Sequence, residues 1–249
     1  MDYKIIDVTP ANVGEYDLFC KKSKSKEPGY QGKLAWFKKH KPTIKLLHVK
    51  EPKGYTSRGF IEYTPIEKAW RAVKGKGYMF IQCIWVVGKW KNKGLGTKLL
   101  NECIKDAKKQ GMNGVVMLTQ GKWLAKKNLF LKNGFKIVDS FETFDLLVKK
   151  FKEAPNPKLP DYKARAKKYG KGLTVIRTPQ CPYVHDATET VKKYAAKRKI
   201  PFKMIELKTP SDVQKKSPTP YGTYALVKDG EVITYCYQLE KDLIKILSV

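Results

Sequence analysis

Lysine, glycine and threonine stand in a phosphate-binding order at Lys91-x-x-Gly94-x-Gly96-Thr97, directly after the apolar run Tyr78–Val87. A pyrophosphate needs that order. Glycines let the backbone approach an anion, the unpaired N–H groups of a helix start point at it, and the helix dipole favours its charge. Lys91 and Lys93 add positive charge, and Thr97 adds a hydroxyl. Two better-known phosphate loops do not fit. The dinucleotide fingerprint needs a third glycine where Leu99 stands, and Gly-Leu-Gly-Thr-Lys lacks the Gly-Lys-Ser/Thr ending of a P-loop. A second group with chemistry is Cys181, in Thr178-Pro179-Gln180-Cys181-Pro182-Tyr183, a thiol just before a candidate helix.

Regular elements must hold these groups. A short strand at Tyr3–Val8 and a helical region come first, and candidate strands follow at Lys45–Val49, Gly59–Tyr63 and Gly77–Val87. The last is apolar, aromatic and β-branched almost without a break, as expected of a central strand covered on both faces. Trp85, within it, and Trp90, just after it, read as packing residues. Leu95, Leu99, Leu100, Cys103, Ile104 and Ala107 recur at helical spacing, which predicts a helix to about Lys109. Gly114–Thr119 predicts another buried strand, and residues 122–132 a helix stopped by Asn133-Gly134. Phe135–Val138 and Thr143–Val148 read as the last strands of this block. The proline-dotted stretch Glu153–Asp161 disfavours helix and strand interiors. The expected division is therefore a first domain over 1–152, a linker over 153–170 with a short basic helix, and a second domain over 171–249.

The loop resembles the Gln/Arg-x-x-Gly-x-Gly/Ala loop of the GNAT acetyltransferases, with Lys91 in place of Gln or Arg. The next strand, the next helix and Asn133-Gly134-Phe135 fall where that family places them. The resemblance implies an α/β fold of the mixed-sheet GNAT acyltransferase type, acetyl-CoA as co-substrate, and transfer to an amine of a small molecule or protein by direct attack. It further implies that main-chain groups of Val86 and Val87 hold the pantetheine arm. N–H groups of Lys91, Lys93, Gly94, Leu95, Gly96 and Thr97 would cradle the pyrophosphate. For the base, Glu62 is the best carboxylate on a strand near the expected site; the alternative is a surface glutamate facing outward. Gln82 and Cys83 lie mid-strand, where a bulge aims groups at the thioester. Cys83 reads either as an acyl relay or as a small buried hydrophobe. Many members carry a tyrosine as general acid where this chain has Phe130, and a phenyl ring donates no proton.

The second block reads strand (Leu173–Arg177), helix (184–199), strand (Phe202–Leu207), short helix, strand (Thr223–Lys228), Asp229-Gly230 turn, strand (Glu231–Tyr235) and helix (238–247). That is the minimal thioredoxin-like plan. The Cys181 loop resembles a glutaredoxin Cys-Pro-Tyr-Cys site, and Thr219-Pro220 stands where that fold carries a cis-proline. Val184 occupies the second cysteine's place, which removes dithiol exchange. Three roles stay open for this block: a structural domain, a monothiol that binds a thiol or acyl group, and a redox switch acting through Cys181. The pairing is similar to GNAT proteins with a YoaP-like C-terminal domain, on Gly59–Pro65, Ala69–Val73 and Gly77–Val86.

Net charge is +28, yet only five of 51 basic residues are arginines: Arg58, Arg71, Arg165, Arg177 and Arg198. Arginine recognises phosphate and bases bidentately, whereas scattered lysines are solvated point charges, so a lysine-rich surface is the simpler reading. The positive field attracts anions: CoA, acidic substrates and, nonspecifically, nucleic acid. A second function class follows from it, a CoA-binding scaffold without turnover that holds RNA or ribosomes. No run approaches the ~20 apolar residues of a membrane span, and the start Met1–Asp7 has no leader pattern, so a cytoplasmic location without membrane contact is expected. Five scattered cysteines and three histidines, with no Cys-x-x-Cys, predict reduced thiols and no metal site.

Overall fold

The structure is a computed structural model that describes residues 1–121 and 124–247. It divides into two compact units. The first takes Met1–Lys22, Phe37–Ala69 and Val73–Leu159; the second takes Ser23–Trp36, Trp70–Ala72 and the chain from Pro160 onward. The division is therefore not one break within 153–170. Two short segments from the first half of the sequence, one holding most of helix α1 (Pro28–His40), belong with the C-terminal residues.

The first unit is built on a seven-stranded sheet in the order β1-β2-β3-β4-β5-β7-β6. Its strands are β1 (Tyr3–Val8), β2 (Thr43–Glu51), β3 (Gly54–Pro65), β4 (Met79–Val86), β5 (Gly114–Thr119), β6 (Lys136–Phe141) and β7 (Phe144–Lys150). Every pairing is antiparallel except β4–β5. A parallel pair needs a crossover, and α2 (Leu95–Lys109) supplies it. The helical stripe read from the sequence is its buried face: Leu95, Leu99, Leu100, Cys103 and Ala107 pack on Ile61, Tyr63, Ile81, Ile84 and Met117 of the sheet. β4 is central, as expected, but Trp85 near its outer end is 39% exposed. Full cover on both faces fails there because β5 no longer pairs alongside.

The helix expected over 122–132 is short, α3 (Asn128–Leu131), and residues 122 and 123 lie outside the described residues. Its stop is the expected one. Gly134 adopts φ +80°, and the amides of Gly134 and Phe135 return to the carbonyls of Leu131 and Phe130 at 3.1 Å each.

The second unit holds a four-stranded sheet in the order β11-β10-β8-β9, formed by β8 (Leu173–Arg177), β9 (Phe202–Glu206), β10 (Tyr224–Lys228) and β11 (Glu231–Thr234). Between them stand α5 (Val184–Lys197) and α6 (Pro210–Lys216), and α7 (Glu240–Leu247) closes the unit. β8 and β9 are parallel through α5, while β10 is antiparallel to β8 and β11. This is the predicted strand–helix–strand, hairpin, helix order. The short helix expected near 161–169 is α4 (Tyr162–Ala166), whose Asp161 cap accepts the Ala164 amide at 3.1 Å. Tyr162 and Ala166 are buried, so this stretch is packed rather than a free tether. The Thr219–Pro220 bond is trans, against the expectation of a cis-proline. Pro220 sits in a wholly buried loop whose backbone is fixed by Ala72, which donates its N–H to the Pro220 carbonyl at 3.3 Å.

Gly114 opens β5 where a Cβ would lie 2.2 Å from the Lys149 carbonyl oxygen on β7. Backbone cannot yield as a side chain can, so Gly114→Ala is expected to destabilise the first unit by about 1–3 kcal/mol. A lowered urea midpoint checks this; an unchanged one would contradict the close approach.

Candidate active site

Three residue pairs join β4 to β5: Met79 to Val115, Phe80 to Val116 and Ile81 to Met117. Beyond Ile81 the strands part, although β4 continues to Val86. The parting coincides with a bulge. Tyr63 faces Ile81 and Glu62 faces Cys83, so Gln82 is the extra residue on β4. Glu62 and Gln82 are both fully buried, and Gln82 Nε2 donates to Glu62 Oε1 at 3.1 Å. Glu62 is therefore not the outward surface glutamate of the alternative reading. Gly59 through Thr64 are all buried, so both faces of β3 are covered there, and period-two alternation does not separate inside from outside on such a strand. Cys83 is half-buried rather than enclosed.

Past the bulge, Val87 donates its amide to the Arg58 carbonyl at 2.9 Å, so that N–H is already taken by β3. Alternation along the strand then turns the N–H and C=O of Val86 to the other edge, where β5 has ended. Of the two valines, Val86 is the one with main-chain groups facing the gap.

The chain next makes a tight turn over Gly88–Trp90, closed by the Lys91 amide on the Gly88 carbonyl at 3.2 Å. Gly94, at φ +73°, caps α2 without a side-chain hydrogen bond. The amides of Leu95, Gly96 and Thr97 have no acceptor within the helix, since the first intrahelical bond is from Lys98 to Gly94 at 3.1 Å. The first turn holds no acidic residue, and a Cβ on Gly94 would meet nothing within 4 Å. Open space, three amides without a helical acceptor and a positive dipole are what an anion needs. Lys91 and Lys93 are exposed, with their ammonium groups 5.6 Å from the Trp85 ring and 5.3 Å from the Trp90 ring. The Thr97 hydroxyl lies 3.5 Å from Asn133 Nδ2, which ties the helix start to the α3 stop.

Behind the loop stands a group that sequence reasoning missed. Glu51, the last residue of β2, accepts the Trp90 indole N–H at 3.0 Å and pairs with the Arg58 guanidinium. Arg58 and then Trp90 hold its carboxyl below the usual glutamate range against the opposing effect of burial. No sequence pattern links three residues on three separate elements. Phe130 is fully buried and packs edge-on against Phe135 at 5.4 Å, so no proton donor stands at that position.

In the second unit, Cys181 lies in the loop before α5, half-buried, and Val184 is buried as the helix's first residue. Gln180 beside it is held by two buried cations. Lys33 Nζ donates to its carbonyl at 2.9 Å, and Arg71 Nη1 donates to its Oε1 at 3.1 Å. The start of α1 closes on this loop, because a Cβ on Gly29 would lie 2.2 Å from the Pro182 carbonyl. Burial raises the Cys181 pKa; the Tyr183 amide, Lys33, the Tyr221 hydroxyl and Arg71 offset this only in part. The thiol is protonated at neutral pH, unlike the acidic thiols of helix starts.

These features define the class. Residues 16–135 match the acetyltransferase (GNAT) family, and residues 201–245 match the YoaP-like family. The chain is thus similar to a GNAT acetyltransferase over 16–135 and to a YoaP-like domain over 201–245. Over 238 residues, 92% of each chain, it is 28% identical to the uncharacterized N-acetyltransferase YoaP of Bacillus subtilis. Among solved structures it is similar to the PaiA N-acetyltransferase of Thermoplasma acidophilum in complex with coenzyme A, at 15% identity and a TM-score of 0.42 over 61% of this chain and all of that one. It is also similar to YncA of Salmonella typhimurium, a putative acetyltransferase with its cofactor acetyl-CoA, at 18% identity and a TM-score of 0.42 over 63% of this chain and 99% of that one. The thioredoxin-like reading of the second unit rests on its element order and on the Cys181-Pro182-Tyr183 loop.

The raised Cys181 pKa has a direct consequence. At pH 7, alkylation of the Cys181 peptide by iodoacetamide, followed by mass spectrometry, is expected to run slower in the folded chain than in the urea-unfolded one. Faster alkylation in the folded state would show a thiolate and contradict this.

Proposed function

We propose that the first unit transfers acetyl from acetyl-CoA to an amine, with the pyrophosphate on the Lys91–Thr97 loop. The observation that carries this is the uncapped start of α2 beside the gap between β4 and β5. Acetyl-CoA supplies an activated acyl group when bound. Amides of Leu95, Gly96 and Thr97 meet its phosphates, Lys91 and Lys93 add charge, and Val86 offers main-chain groups to the pantetheine arm. The amine attacks the acetyl carbonyl, a C–N bond forms, and the C–S bond breaks. Glu62 takes the amine's proton, directly or through one water, while Gln82 fixes the carboxylate's orientation. Phe130 leaves the departing thiolate to be protonated by solvent. Cys83 lies beside the bulge and is not needed as a relay. The second unit serves as a structural partner, since Cys181 is held as a neutral thiol. Among the described residues no helix is long and apolar enough to cross a membrane.

Calorimetry with CoA tests the binding part. The wild-type chain is expected to bind, and Gly94→Glu, which sets a carboxylate and a strained φ in the anion site, is expected to abolish binding. Retained binding in that variant would overturn the loop assignment. For the chemistry, Glu62→Gln is expected to lower kcat by about 10²–10⁴-fold with CoA affinity kept. With no tyrosine acid, the pH–rate profile should rise without a falling limb up to about pH 10; a falling limb would reveal an acid elsewhere.

A further inference from the structure

We propose that Glu51 is a positioning residue for the co-substrate, setting the turn that leads into the anion loop through Trp90 and Arg58. It rests on the reading of Lys91–Thr97 as the CoA loop. The turn Gly88–Trp90 has to deliver Lys91 to Gly94 at the start of α2, and all three of its residues lie beyond the sheet ladder, which ends at Val86. Its entry is fixed by Val87, whose amide donates to the Arg58 carbonyl at 2.9 Å. Its exit is fixed by Trp90, whose indole N–H donates to Glu51 Oε1 at 3.0 Å. The other oxygen of the same carboxylate pairs with the Arg58 guanidinium, so one side chain ties both ends of the turn.

Arg58 is placed for this by a second irregularity in the sheet. Leu47 faces Gly59 and His48 faces Ser57, so Arg58 is the extra residue of a bulge on β3. A bulge re-aims a side chain that regular pairing would send elsewhere. Glu51 is the last residue of β2, opposite Gly54 at the hairpin end. Trp90 in turn carries Lys89 and Lys93 over its ring, each ammonium 5.3 Å from the centroid. A shift of the indole therefore moves one cation of the loop, Lys93, and one of the turn before it, Lys89. Glu51 touches no expected ligand atom. Its effect passes through the tryptophan.

The full-length chain tests this by CoA calorimetry beside urea unfolding. Trp90→Phe keeps a ring for the lysines and removes the N–H; Glu51→Ala removes both bonds; Glu51→Gln keeps an acceptor for the indole. Trp90→Phe and Glu51→Ala are expected to weaken CoA binding by about fivefold or more, the size of one net hydrogen bond. Glu51→Gln is expected to recover most of the loss, and the double variant Glu51→Ala/Trp90→Phe should be no weaker than Glu51→Ala, since both act through one bond. A merely structural brace would lower the urea midpoint and leave CoA affinity unchanged, and that result overturns the proposal. Additive losses in the double variant overturn it as well. Failure of the wild-type chain to bind CoA would instead sink the loop assignment on which it rests.

Discussion

The separation of β4 from β5 is the constraint on which the site depends. β5 stays in the sheet because its other edge is committed to β7 over six residue pairs, Gly114–Thr119 against Asp145–Lys150. β4 stays with β3 as far as Val86. Between them, the bulge at Gln82 bends one strand out of parallel register and leaves the inner edge of β4 open. Open main-chain groups inside a sheet are costly unless water or a ligand takes them. The chain leaves β4 at this point, turns, and starts α2, so gap and helix start are consecutive in sequence. Geometry of this kind needs few special residues: an extra residue in one strand and glycine where φ must be positive.

Two buried polar groups in the first unit answer different needs. Lys45 is almost fully buried and meets Asp7 at 3.0 Å and Glu102 and Asp106 at 3.3 Å each. Burial alone would lower its pKa, but Asp7 and Asp106 more than reverse that and hold the ammonium above the usual lysine range. Tyr63 adds its hydroxyl to Asp106. This cluster locks the C-terminal half of α2 against β1 and β2, and so fixes where the other end of the helix points. Glu62 and Gln82 instead pair across the bulge, where β4 stops following β5. One group holds an aim, and the other stands where the aim is used.

Much of this was legible in the residues. The apolar stripe of α2 and the run Tyr78–Val87 announced a strand, a loop and a helix, because burial on one stripe or on two faces leaves a periodic trace. The burial of Glu62 was not legible, since both faces of β3 are covered from Gly59 to Thr64 and period-two reasoning needs a wet face. Nor was the state of Cys181. Burial raises its pKa, and the cations that offset this in part, Lys33 and Arg71, come from segments far off in the sequence. The Glu51 group is long-range in the same sense.

The second unit contains residues from near position 30 and near position 70 together with the last ninety of the chain. During synthesis Lys33, Trp36, Trp70 and Arg71 therefore emerge long before Gln180, Tyr221 and Thr223, to which the two cations bond or stack. Trp36 and Trp70 can meet edge-on early, at 5.7 Å, yet their remaining surroundings arrive only at the end. Closing so long a loop delays assembly, because its entropy is lost before the contacts reward it. A nascent chain must carry two tryptophans and two charged side chains without their final partners, and a chain cut near residue 160 would carry them always. The two halves of this gene product are separate in pattern but joint in folding.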